Sequence, residues 1–152
     1  MRKKLSPLVL TIRYWMAGLV GLAALVSTNA IAQADLSRID PEELKAVKAD
    51  SNLRSHVSRC AAAHALMARY SERMGEEKEM LGHRQSAMYW IAVMNEMFTE
   101  KWAEPRIDMA LEYWKKTIER EGEENAFSFL LAQQLICERI QDRLEGVEPP
   151  SL

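Results

Sequence analysis

The sequence predicts an all-α fold: an up-down-up-down four-helix bundle with a short N-terminal helical extension, following a cleaved signal peptide. Three observations carry that expectation. Between Pro41 and Glu145, apolar residues recur at three- and four-residue steps and never alternate with period two long enough for a strand. The links between the long periodic segments are only a few residues, which makes consecutive helices antiparallel neighbours. The chain's two cysteines, Cys60 and Cys137, reach similar heights once the helices are laid out in that order. No period of repeat-protein length is present.

The N-terminus reads as an export signal. Arg2, Lys3 and Lys4 form a basic start, and the run from Trp15 to Val26 is apolar and uncharged. Small-residue cleavage patterns follow, placing the cut after Ala32 or Ala34. The apolar run is about a dozen residues, short of the ~20 needed to span a bilayer, so no stable membrane anchor is expected after cleavage. The whole chain has 152 residues and a net charge of -2. Removing Arg2, Lys3, Lys4 and Arg13 takes the mature charge to about -6, which disfavours nucleic acid and anionic lipid as partners. About 120 residues remain, enough for one domain.

The expected domains are a signal peptide over 1–34, an extension over 35–50, the bundle over 51–146 and a disordered tail over 147–152. Asp40-Pro41-Glu42-Glu43 supplies a cap, a first-turn proline and a capping-box glutamate, opening a short helix to about Lys48. Asp50-Ser51-Asn52 breaks it, and Ser51 is the expected cap of a long helix to Met74. Val57, Cys60, His64, Met67 and Met74 mark its buried stripe, and Gly75 ends it. The next helix spans about Glu77–Trp102 on Leu81, Met88, Ile91, Met94 (or Asn95), Phe98 and Trp102. Pro105 then separates it from a helix through Ile107, Ala110, Leu111, Trp114 and Ile118. After Gly122 the last helix follows Phe127, Leu130, Leu131, Gln134, Cys137 and Leu144, and Gly146 stops it.

Cys60 lies roughly 14 Å above the start of its helix and Cys137 roughly 12 Å before the end of its own, so the two sulfurs share a level in an up-down bundle. Outside the cytosol such a pair closes as a disulfide.

Few residues carry chemistry. His56, Cys60 and His64 share one helical stripe, but about 12 Å separates the first from the last, too far for one ion. The expected reading is a cystine with a polar flank on each side. A soft metal such as copper finds candidate ligands in Met80, His83, Met94 and Met97, against the alternative that methionine simply fills the core. Trp90, Trp102 and Trp114 recur every twelve residues, and Trp90 falls off the stripe through Met88 and Ile91, which marks it as a candidate partner surface. Paired Glu-x-x-His, C-x-x-C and G-x-S-x-G motifs are absent.

The functional expectation is therefore a periplasmic or secreted, disulfide-stapled binding protein with no catalytic site and no cofactor. Its partner would be another envelope protein, a peptide or an apolar ligand, with periplasmic copper binding as the alternative.

Overall fold

The computed structural model describes residues 35–98 and 100–147, apart from the side chains of residues 100–102 and 123. The predicted signal segment, its cleavage sites and the tail beyond Val147 lie outside the described residues. Those described are all helical, with no strand: α1 (Pro41–Ala49), α2 (Ser51–Met74), α3 (Glu77–Met97), α4 (Glu100–Glu121) and α5 (Glu123–Leu144). None of these helices is long and apolar enough to cross a membrane.

Local chemistry sets most boundaries. Asp40 caps α1 by accepting from the Glu42 and Glu43 N–H groups at 2.8 and 3.4 Å. Glu43 does not complete the expected capping box. The Asp40 N–H instead donates to the Leu144 carbonyl at 2.7 Å, and the Glu43 carboxylate takes Arg143 at 2.6 Å. Both contacts tie α1 to the end of α5. Asp50, not Ser51, caps α2, accepting from Asn52 and Leu53 N–H at 2.8 and 3.1 Å. Gly75 ends α2 with φ 75°, a left-handed conformation that glycine adopts without strain. Its N–H reaches the Glu72 carbonyl and the Glu76 N–H reaches that of Ser71, a Schellman closure.

The second break differs from expectation. α3 ends at Met97, where Phe98 is extended, and Pro105 lies inside α4. Pro105 sits in the second turn of α4, where it leaves the carbonyl of Lys101 without its N–H partner, and the helix continues through it despite that cost.

α2 occupies the centre and packs against every other helix. An almost continuous run from Val57 to Ala68 is buried, with Ala61, Ala62, Ala63, Ala65 and Ala68 keeping its girth small. A helix buried on nearly all sides replaces the single stripe that periodicity suggested, because neighbouring helices can approach short side chains from several directions. Cys60 meets Cys137 and the Tyr70 ring meets Phe127 at 4.8 Å, so α2 and α5 run antiparallel.

The buried stripes of α3 and α5 follow the bundle rhythm. On α3 it is Ala87, Trp90, Met94 and Met97; on α5 it is Ala126, Leu130, Gln133, Cys137, Ile140 and Leu144. Three predicted core residues are outside: Met74, Leu81 and Leu131 are 59%, 49% and 43% exposed. Met74 and Leu81 flank the Gly75 turn beyond the packed length of their helices. Leu131 is displaced because its neighbour Leu130 occupies the inward position.

Candidate functional site

Among the described residues, a groove opens between the first half of α2 and α4. α2 presents Ser51, Arg54, Ser55, Ser58 and Arg59, the spacing of one helical face. α4 faces it with Arg106, Met109, Ala110 and Tyr113, also one face. Together they line a cavity of about 460 Å³, within the size range of small-ligand sites. Buried Ala110 leaves the space that a larger residue would fill.

The groove's charge is one-sided. Three of its nine lining residues are arginines, and none is acidic. Two of those guanidinium groups rest on aromatic rings: Arg59 lies 4.4 Å from the Tyr113 ring centre, and Arg106 lies 4.3 Å from that of Phe98. Stacking holds a guanidinium plane in place while leaving its N–H edges available. The Arg106 Nε is buried with no hydrogen-bond partner. An unpaired buried donor costs about 1–3 kcal/mol. The groove thus presents positive charge and N–H donors beside apolar surface.

Sequence reasoning missed this groove. It followed the apolar stripe of α2 and passed over the polar one. Part of the signal was present on α2, where serines and arginines recur at helical spacing from Ser51 to Arg59 with no interleaved acid, but the facing wall of α4 is interrupted by Asp108 and Glu112.

A second polar cluster joins α2 to α3. His64 Nδ1 and His83 Nδ1 are 3.2 Å apart, so one ring donates its proton to the other's lone pair. Burial pushes the His64 pKa down to about 4, and the charge of His83 adds to that shift. Burial also lowers His83, with Glu79 opposing it. Both imidazoles are thereby held neutral at pH 7.

The predicted site residues separate. Cys60 and Cys137 pair as a disulfide, S–S 2.13 Å and Cα–Cα 5.7 Å. Gln133 donates towards both sulfurs at 3.6 Å, and its amide lies 3.4 Å from His56 Nδ1. His56 therefore turns to α5 and His64 to α3, leaving a polar flank on each side of the cystine. Met94 and Met97 are fully buried in the core with Trp90, whereas Met80 and His83 lie near the start of α3. Fourteen residues of helix put about 21 Å between Met80 and Met94, so the proposed four ligands do not form one site.

Trp90 is 1% exposed and its ring meets Tyr89 edge-on. It is a core anchor, not a contact surface. The stripe through Met88 and Ile91 was one position out of register, and the true one includes Trp90. Trp114 is also buried, while the Trp102 side chain lies outside the described residues.

Comparison with known protein families, with curated proteins and with solved structures finds no match.

Proposed function

We propose that this chain is an exported, disulfide-stapled binding protein without catalytic chemistry, an up-down-up-down four-helix bundle released into the periplasm or medium by signal cleavage. The observation that carries the reading is the open groove between α2 and α4, where three arginines, with no acidic residue in the lining, adjoin exposed Met109 and Tyr113. Preformed concavity with a few polar groups beside apolar surface is the usual anatomy of a binding site. Of the partners anticipated from sequence (an envelope protein, a peptide or an apolar ligand), the groove favours one that carries both an anionic and an apolar part. Two cysteines held together in the core support the oxidising address. The test is a photo-crosslinking side chain placed at Met109 in cells. A discrete adduct formed there, and not from exposed Lys78, supports the groove as the binding surface. Indistinguishable labelling from both positions counts against it.

The metal reading keeps one observation in its favour, at different residues. Two ligands of a tetrahedral zinc or copper ion with bonds near 2.0–2.1 Å are about 3.3 Å apart, close to the His64–His83 separation of 3.2 Å. This recasts the copper site from Met80, Met94 and Met97 to His64 and His83. Titration with Zn(II) or Cu(I) decides it: one equivalent bound, and lost in His64→Ala, supports the pair. Equal uptake by the variant eliminates it.

A further inference from the structure

We propose that the α2–α4 groove is a site for a small soluble organic phosphate. Three guanidinium groups would hold its phosphate monoester, and the Met109–Tyr113 edge would cover its carbon body. This rests on the groove being the binding surface and names the ligand class it takes.

Charge comes first. Arg54, Arg59 and Arg106 all line one cavity with no carboxylate among the lining residues, in a chain whose net charge is -2. A lone carboxylate would leave most of that positive charge uncompensated, whereas a monoester brings about two negative charges at neutral pH. Donors come second. Each guanidinium offers several N–H groups in a fixed fork that matches phosphate oxygens, and Ser51, Ser55 and Ser58 add hydroxyls on the same wall. Arg59 and Arg106 are already oriented by their aromatic supports, so little side-chain freedom is lost on binding.

Size and surroundings settle the rest. A cavity of about 460 Å³ far exceeds one phosphate group, so the ligand has a body as well as a head. Met109 at 73% exposed and Tyr113 at 43% supply apolar surface one helical turn apart beside the charges. A phospholipid headgroup in a bilayer has the same chemistry. However, the excess of acidic residues over basic ones opposes approach to an anionic membrane, which favours a soluble ligand.

Calorimetric titration of the oxidised protein tests this with phenyl phosphate as probe, beside inorganic phosphate, phenylacetate and vesicles containing phosphatidic acid. Phenyl phosphate is expected to bind at least about tenfold more tightly than either inorganic phosphate or phenylacetate. Arg59→Gln and Arg106→Gln should each weaken it by about tenfold or more, and Lys78→Gln should leave it unchanged. Arg106→Lys, which keeps the charge but not the fork, should weaken it by less than Arg106→Gln and guards against a loss caused by misfolding. Phenyl phosphate binding no tighter than phenylacetate, or indifferent to both glutamine variants, overturns the inference. Arginine-dependent binding to vesicles without binding of phenyl phosphate also overturns it, in favour of a membrane. In either case an adduct from position 109 that survives in cells would leave the broader binding function standing, and its absence would remove both.

Discussion

The two halves of α2 are packed by different means. Around Val57, Cys60 and Ala61 the core gathers large side chains from four other helices, including Trp90, Met94, Met97 and Leu144, and the cystine crosses it. Around Ala62, Ala63, Leu66 and Met67 the cluster is smaller, with Trp114 and Leu130 as its main partners. There the α3 side is closed by two neutral imidazoles rather than by apolar volume. One helix thus has a covalently fixed, voluminous half and a half held by fewer side chains and a pH-sensitive contact. The difference shows that burial alone does not set local stability: Ala62 and Cys60 are equally inaccessible but anchor very different amounts of neighbouring structure.

The largest test strikes the voluminous half. Trp90→Ala is expected to cost about 3–5 kcal/mol, because the ring is fully buried among residues that cannot close the gap. Chemical denaturation would measure it, and a loss under about 1 kcal/mol would place Trp90 outside the core. Next in size is the crosslink. It closes a sequence separation of 77 residues, worth about 4 kcal/mol in the chain-entropy model. Cys60→Ser and Cys137→Ser should each destabilise by similar amounts, with the double variant adding little. Additive losses would show that the sulfurs contribute separately.

The smallest effect belongs to the other half. Folding lowers the His64 pKa from 6.5 to about 4, so between those values the unfolded chain binds a proton that the folded chain refuses. Stability is fully present above about pH 6.5 and falls as the pH drops towards 4, with His83 acting in the same direction. The melting temperature should therefore decline across that window more steeply in the parent than in His64→Phe. Parallel declines would mean that carboxylates alone drive the acid response.

Much of this division was legible beforehand. Gly75, Gly122 and Gly146 all mark helix ends with positive φ, as punctuation by glycine implies. The cysteine pairing followed from helix rise and antiparallel order. What sequence misjudged was register and girth. Met88 and Ile91 are more apolar to the eye than Ala87, and the 88-91-95-98 series keeps the same three- and four-residue rhythm as the buried 87-90-94-97 series one position away, so spacing alone does not choose between them. Trp90 was misassigned for that reason. Pro105 was overread because its effect depends on how near it lies to a helix start, and Phe98 carries no marked breaker signal. The groove escaped because it is made by two helices, and the serine–arginine face of α2 does not reveal which face of α4 lies opposite it. Likewise, nothing in the spacing of His64 and His83 predicts that their rings meet across the α2–α3 hairpin.

The bond from the Asp40 N–H to the Leu144 carbonyl, reinforced by Arg143 with Glu43 and Arg38 with Glu145, has a topological consequence. The entry to the first helix and the exit from the last are adjacent in space. The helical unit is nearly a closed ring of chain, and its linear order is one of several that could trace the same path. A short linker joining Val147 to Asp35, with new ends opened at the exposed Gly75–Glu76 turn, would reorder the sequence without moving a helix. In that rearranged chain the sequence separation of the two cysteines would fall from 77 residues to about half of that while they kept their places in space.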